Sequence, residues 1–133
     1  MLGSKVRGCS IVMSMLPQIL SSLINVPGVV GVFIISKDGF VIDKATSSVL
    51  NIDDDVLAAM ITTAYGSVIQ PGAELHIGEP EIVTMEYSNH YVLIVDAGEY
   101  ILALLADRGR AILGRLRYEL RRQAESIRMA ART

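Results

Sequence analysis

Few residues in this chain have side chains suited to covalent or metal chemistry: Cys9, His76, His90 and the carboxylates near them. A nucleophilic site couples a thiol or hydroxyl to a base, and a zinc-type site gathers three or four ligands. Cys9 sits near the N-terminus, and no spacing couples it to either histidine. His76, Glu79, Glu81 and His90 can be assembled into a metal site on paper. His76, however, falls in an irregular segment and His90 in a hairpin turn, which reads as two surface histidines. Asp53-Asp54-Asp55 suggests a hard cation, but no further carboxylate follows at calcium-loop spacing. Three aspartates before a helix instead cap its free N–H groups and favour its positive end. The sequence has no G-x-x-x-x-G-K-[ST], G-x-G-x-x-G or G-x-S-x-G. No catalytic, metal or cofactor-binding residue is assigned, and the reading is a protein that is not an enzyme.

The basic residues are concentrated at one end. Residues 108–133 carry eight arginines (Arg108, Arg110, Arg115, Arg117, Arg121, Arg122, Arg128, Arg132) against Glu119 and Glu125. That local +6 leaves −8 for the remainder and −2 overall. A nucleic-acid face would want fewer acids between the arginines and more aromatics than Tyr118. A solvated helix face complementing an acidic body is the simpler reading, with no nucleic-acid partner.

The whole chain, 133 residues and 51% hydrophobic with 20% charge, suits one domain with a sizeable core and excludes intrinsic disorder. A single cysteine excludes a disulfide framework and suggests a reducing, cytoplasmic setting. Aromatics make up only 5%, so the apolar mass is aliphatic. Gly8 to Ser36 carries no charge, yet Ser14, Pro17, Gln18, Ser21, Ser22 and Asn25 interrupt it and Pro27-Gly28 breaks it. It reads as an amphipathic helix followed by a buried strand, without membrane insertion.

The elements follow from periodicity. Ser14 caps a helix whose Leu16, Ile19, Leu20, Leu23 and Ile24 share one face. Val29 to Ser36 is apolar on both faces and belongs inside a sheet covered on two sides. Lys37-Asp38-Gly39 turns the chain into a second strand, Phe40 to Ala45. A helix spans about 54–69 and ends at Pro71-Gly72. Glu81 to Tyr87 alternates, as an edge strand would, and two apolar strands follow, Tyr91 to Val95 and Tyr100 to Ala106. Arg110 to about Met129 closes the chain as a helix, with Arg115–Glu119 and Arg121–Glu125 as i, i+4 pairs. The order is αββαβββα in a single α+β domain over residues 14–129, preceded by a poorly ordered extension over 1–13.

The second helix carries the strongest functional signal. From Val56 through Ala73 it has no charged residue. A projection at about 100° per residue puts Leu57, Met60, Ile61, Ala64, Tyr65 and Val68 toward the sheet. The opposite arc is Ala58, Ala59, Thr62, Thr63, Gly66, Ser67 and Gln70. A solvent face ordinarily carries Lys, Glu or Arg; small uncharged residues let another backbone approach closely. One domain of this topology has no further layer to cover that arc, so it reads as an intermolecular surface.

The segment from Leu20 to Ile42, with Pro27-Gly28-Val29-Val30-Gly31, an apolar strand and Asp38-Gly39, resembles the opening of Roadblock/dynein light-chain domains. Leu113-Gly114-Arg115-Leu116-Arg117 is similar to the Leu-Gly-x-x-Arg that begins the family's last helix. The resemblance covers about residues 14–129 and is to the prokaryotic, MglB-like type. It implies a five-stranded antiparallel sheet with helices on both faces, related to the profilin and longin folds. It further implies a homodimer joined at the strand Ile82, Val83, Thr84, Met85, Glu86, Tyr87 with the middle helices side by side. A small Ras-like GTPase is the implied partner, bound as by a scaffold or a GTPase-activating protein. An arginine finger, worth about 10³–10⁵ in rate, would come from Arg108 or Arg110, although a turn arginine is more often a surface charge. The resemblance brings no catalytic residue and no cofactor. Two alternatives stay open: a dimerisation module without a GTPase, and a small-ligand sensor, which would need convergent polar groups in a pocket.

Overall fold

Strand formation is clearest where β-branched residues run together. Val29 to Ile35 is buried almost throughout and becomes the second strand of the sheet, shielded on both faces. The computed structural model describes residues 2–47 and 51–132. Its elements are α1 (Leu2–Ile24), β1 (Val29–Ser36), β2 (Val41–Thr46), α2 (Asp54–Glu74), β3 (Ile82–Glu86), β4 (His90–Ala97), β5 (Tyr100–Asp107) and α3 (Leu113–Ala131). This is the αββαβββα order expected, as an α+β fold. The five strands are antiparallel in the order β2-β1-β5-β4-β3.

Two apolar layers sandwich the sheet because successive side chains alternate between its faces. Ile34, Leu93, Val95, Leu102 and Leu104 pack against Leu16, Leu20 and Leu23 of α1 and Leu116, Leu120 and Ile127 of α3. The opposite face, with Phe33, Ile35, Ile94, Ile101 and Ala103, is covered by Ala58, Ile61 and Tyr65 of α2. Two helices shield one face and a single helix shields the other. This imbalance positions the site described below.

Several boundaries differ from those read in the sequence. α1 begins at Leu2, well before Ser14, whose hydroxyl does not cap the helix but donates to the Ile11 carbonyl at 2.8 Å. Pro17 therefore lies inside α1 rather than in its first turn. The final helix starts at Leu113, with Ile112 at its N-cap position and no side-chain cap. The expected i, i+4 pairs of α3 do not form. Arg121 lies 3.9 Å from Glu81, and Glu125 instead pairs with Arg128 at 3.1 Å. An exposed arginine gains little from any one surface carboxylate, so tertiary neighbours decide which is nearest.

Candidate functional site

α2 starts where its sequence requires. The Asp53 carboxylate accepts the N–H groups of Asp55 at 2.9 Å and Val56 at 3.3 Å, satisfying donors that the first turn leaves free. Lys44 of β2 then pairs with Asp54 at 2.9 Å and fastens this end of the helix over the β2 side of the sheet.

The helix does not stop at Pro71-Gly72, as expected, but continues to Glu74. The His76 N–H bonds to the Ala73 carbonyl at 3.3 Å, and the Ile77 N–H to the Gly72 carbonyl at 3.0 Å. This closing pattern needs a left-handed residue after the C-cap, and His76 supplies it with φ 56°. The histidine acts through its backbone. His90 opens β4 rather than occupying the turn before it. Among the described residues no three His, Cys, Asp or Glu side chains come together as a metal site. The side chain of Cys9 lies outside the described part of the structure.

The buried stripe of α2 is rotated from the projected one by roughly 50° at about 3.6 residues per turn. Ala58, expected outward, is fully buried, whereas Met60, expected inward, is 63% exposed. Ala58 packs into the cluster formed by Phe33, Ile35, Ile94, Ile101 and Ala103 of the sheet. Thr62 is half-buried and returns its hydroxyl to the carbonyls of Ala58 and Ala59. Ala59, Thr63, Gly66, Ser67 and Gln70 are exposed as expected. With Val56 and Met60 they make the outward face more apolar than the sequence reading allowed.

That face continues onto the sheet. Because α2 lies toward β2, it leaves the β3–β4 side of its sheet face partly uncovered. A cleft of about 240 Å³ opens there, lined chiefly by Ile52, Met60, Met85, Tyr87, Val92 and Leu105 beneath Leu57 and Ile61. Its walls are aliphatic and thioether groups together with the Phe33 ring, and the exposed Tyr87 also lines it. Beside it, β3 is an edge strand. The Tyr87 N–H bonds to His90 across the turn, so alternation turns the N–H and C=O groups of Ile82, Thr84 and Glu86 away from β4. Ile82 packs into the α1–α3 core, while Val83 and Met85 pack beneath α2.

The polar groups near this surface are structurally engaged. Arg108 donates to the Tyr87 carbonyl at 3.0 Å and lies over the Tyr91 ring at 5.5 Å, so it holds the β3–β4 turn. Arg110 is more exposed and lies 3.5 Å from Asp107. Midway along α2, Tyr65 donates to Asp96 at 2.7 Å. Lys37 donates to the same oxygen at 2.8 Å, and the Gly98 N–H to the other. Arg128 of α3 donates to the Asp96 carbonyl. One residue thus joins both hairpins, α2 and α3.

Burial penalises the Asp96 charge, but hydrogen bonds from Lys37, Tyr65 and Gly98 and the Lys37 charge outweigh it and hold the carboxyl below its usual range. Burial raises the Tyr65 hydroxyl above the usual tyrosine range, helped by its bond to Asp96. A lowered carboxylate pKa contributes stability that is present above the unfolded value of about 3.9 and lost as pH falls through the folded one. A raised phenol pKa contributes stability that is present below about 10 and lost as pH rises through the folded value. Tyr65→Phe should therefore cost about 1.5–3 kcal/mol at neutral pH, because it removes a hydrogen bond to a charged group. Asp96→Asn should destabilise clearly at pH 7 and less at pH 3. Urea unfolding at both pH values checks the pair, and equal losses for Asp96→Asn at the two would contradict it.

Comparison with known proteins agrees with this architecture. The model of the Roadblock/LC7 domain matches residues 15–106. The Methanocaldococcus jannaschii protein MJ1340 is 33% identical, over 85% of this chain and 96% of its own. A Roadblock/LC7 domain from Streptomyces avermitilis superposes with a TM-score of 0.75 at 24% identity, covering 87% of this chain and 97% of that one. The gliding protein MglB from Thermus thermophilus superposes with a TM-score of 0.79 at 18% identity, covering 89% of each chain. The order of elements, the edge strand β3 and the matched residues have one common explanation: the chain belongs to the Roadblock/LC7 domain family.

Proposed function

We propose that this protein is a homodimeric, non-enzymatic regulator or scaffold of a small Ras-like GTPase, acting in the cytoplasm. The observation that carries this reading is the surface formed by the uncharged outward face of α2, the apolar cleft beside it and the open edge of β3. Two copies would pair at Ile82, Thr84 and Glu86 and bring their α2 helices together. The part of the joined α2 faces outside the seam would present Ser67 and Gln70 to the GTPase. Arg108 is committed to the β3–β4 turn, which favours a holding role over an arginine finger from that residue. The cleft's lining favours burial against protein over capture of a polar metabolite, which would need convergent polar groups.

Two substitutions separate the parts of this reading. Thr84→Pro removes an N–H that points away from β4, so it spares the internal ladder while blocking a strand added at the edge. Thr63→Arg places a charge on the exposed small-residue face. Sedimentation equilibrium should show a dimer for the wild type and a dissociation constant raised at least about tenfold in each variant, a loss of about 1.4 kcal/mol. A wild-type monomer, or variants that associate unchanged, would refute the pairing surface. Capture of a Ras-like GTPase from source lysate tests the partner. A dimer that retains none would leave the dimerisation-module reading in its place.

A further inference from the structure

The layer made by α1 and α3 has a charge character unlike the rest of the molecule. α1 contains no acidic residue, and α3 carries five arginines against Glu119 and Glu125. Three of those arginines have neighbours: Arg117 reaches Thr84 at 3.5 Å, Arg121 lies 3.9 Å from Glu81, and Arg128 pairs with Glu125. Arg115 and Arg122 are exposed and have no acidic partner among the described residues. Between them on the outward face stands Tyr118, 62% exposed, and two turns or more beyond lies Met129, 59% exposed. On α1, Ile11 and Met13 are also exposed.

We propose that this helical layer, led by the outward face of α3, docks peripherally on an anionic lipid bilayer. Unpaired arginines attract lipid phosphates, and exposed tyrosine and methionine side chains can enter the headgroup boundary. Arg115, Tyr118, Arg122 and Met129 follow one another along the exposed arc of the helix, which suits a broad planar surface. A single-stranded nucleic acid would want a row of stacking aromatics, and Tyr118 is the single aromatic in α3. Docking does not require a span, and among the described residues no helix is long and apolar enough to cross a membrane. The inference is independent of any GTPase, because it uses the face of the sheet opposite α2.

Sedimentation with vesicles tests it, using the full chain. Vesicles of equal parts phosphatidylcholine and phosphatidylglycerol should pellet the protein, vesicles of phosphatidylcholine should not, and high salt should release it. The double variant Arg115→Gln/Arg122→Gln should lower the partition coefficient about thirtyfold, taking each arginine's contribution at a charged surface. Tyr118→Ser should weaken binding as well, which a purely ionic association would not show. All three side chains are exposed, so circular dichroism melting should match the wild type and separate lost binding from lost folding. Failure to pellet with anionic vesicles would overturn the proposal. So would an unchanged partition coefficient in the double variant, or tighter binding to a single-stranded oligonucleotide than to the vesicles.

Discussion

Gly28→Val is expected to cost about 3–5 kcal/mol, a large share of the roughly 5–15 kcal/mol that stabilises a domain of this kind. Two effects add. Gly28 has φ +89°, a conformation that β-branched residues strongly resist. A Cβ there would also stand 2.6–2.7 Å from the backbone N, Cα and Cβ of Ala111. That neighbour cannot yield easily, because Ala111 donates to the Asp107 carbonyl at 2.9 Å and Asp107 donates to the Gly28 carbonyl at 2.8 Å. The contact locks the α1–β1 junction to the β5–α3 turn. Gly114→Ala provides the contrast: nothing lies within 4 Å of the added methyl group, and helix propensity favours alanine by up to about 1 kcal/mol. Urea midpoints of the two variants should move in opposite directions. A Gly28→Val protein with the wild-type midpoint would contradict the geometry.

Leu120→Ala should be nearly as damaging, at about 3 kcal/mol within the usual 2–5 kcal/mol range for a buried leucine. Leu120 is fully buried where α3 meets α1 and the sheet, and its neighbours Leu20, Leu116 and Ile127 belong to the same cluster. Met60→Ala removes a side chain of similar size from the 63% exposed face of α2. Its effect on unfolding of the single chain should stay within about 0.5 kcal/mol, with its consequence seen in self-association. Chemical denaturation at low protein concentration reads the first effect, and the concentration dependence of sedimentation reads the second. Equal destabilisation by the two substitutions would mean that the outward face of α2 is already covered within one chain.

Recognition of the family from sequence rested on local patterns that tertiary context seldom overrides. The Pro27-Gly28 break, the doubly apolar run from Val29 and the Asp38-Gly39 turn each constrain the backbone by sterics. Each appears in the structure, with Gly39 at φ +93°. The alternation of Glu81 to Tyr87 marked an edge strand because Thr84 and Glu86 on one face would be poorly tolerated in a strand buried on both sides, and it is one. The Asp53 cap was legible for the same local reason.

The candidate site was legible only in outline. The lack of charge along α2 is a property of the sequence, but which arc faces outward depends on the distance of approach to the sheet. A periodicity argument assigns Met60 inward by hydrophobicity, whereas the structure leaves Met60 63% exposed and buries Ala58 against the sheet. The Asp96 network could not be read either, since Lys37, Tyr65, Asp96 and Arg128 are far apart in sequence and meet where two hairpin turns and two helices converge. The sequence thus determined the strands, most of the turns, the family and the absence of charge from Val56 through Ala73 of α2, all through short-range sterics and composition. The tertiary structure decided which arc of α2 is exposed, where the cleft opens and which arginines lack partners, because those depend on how the layers pack.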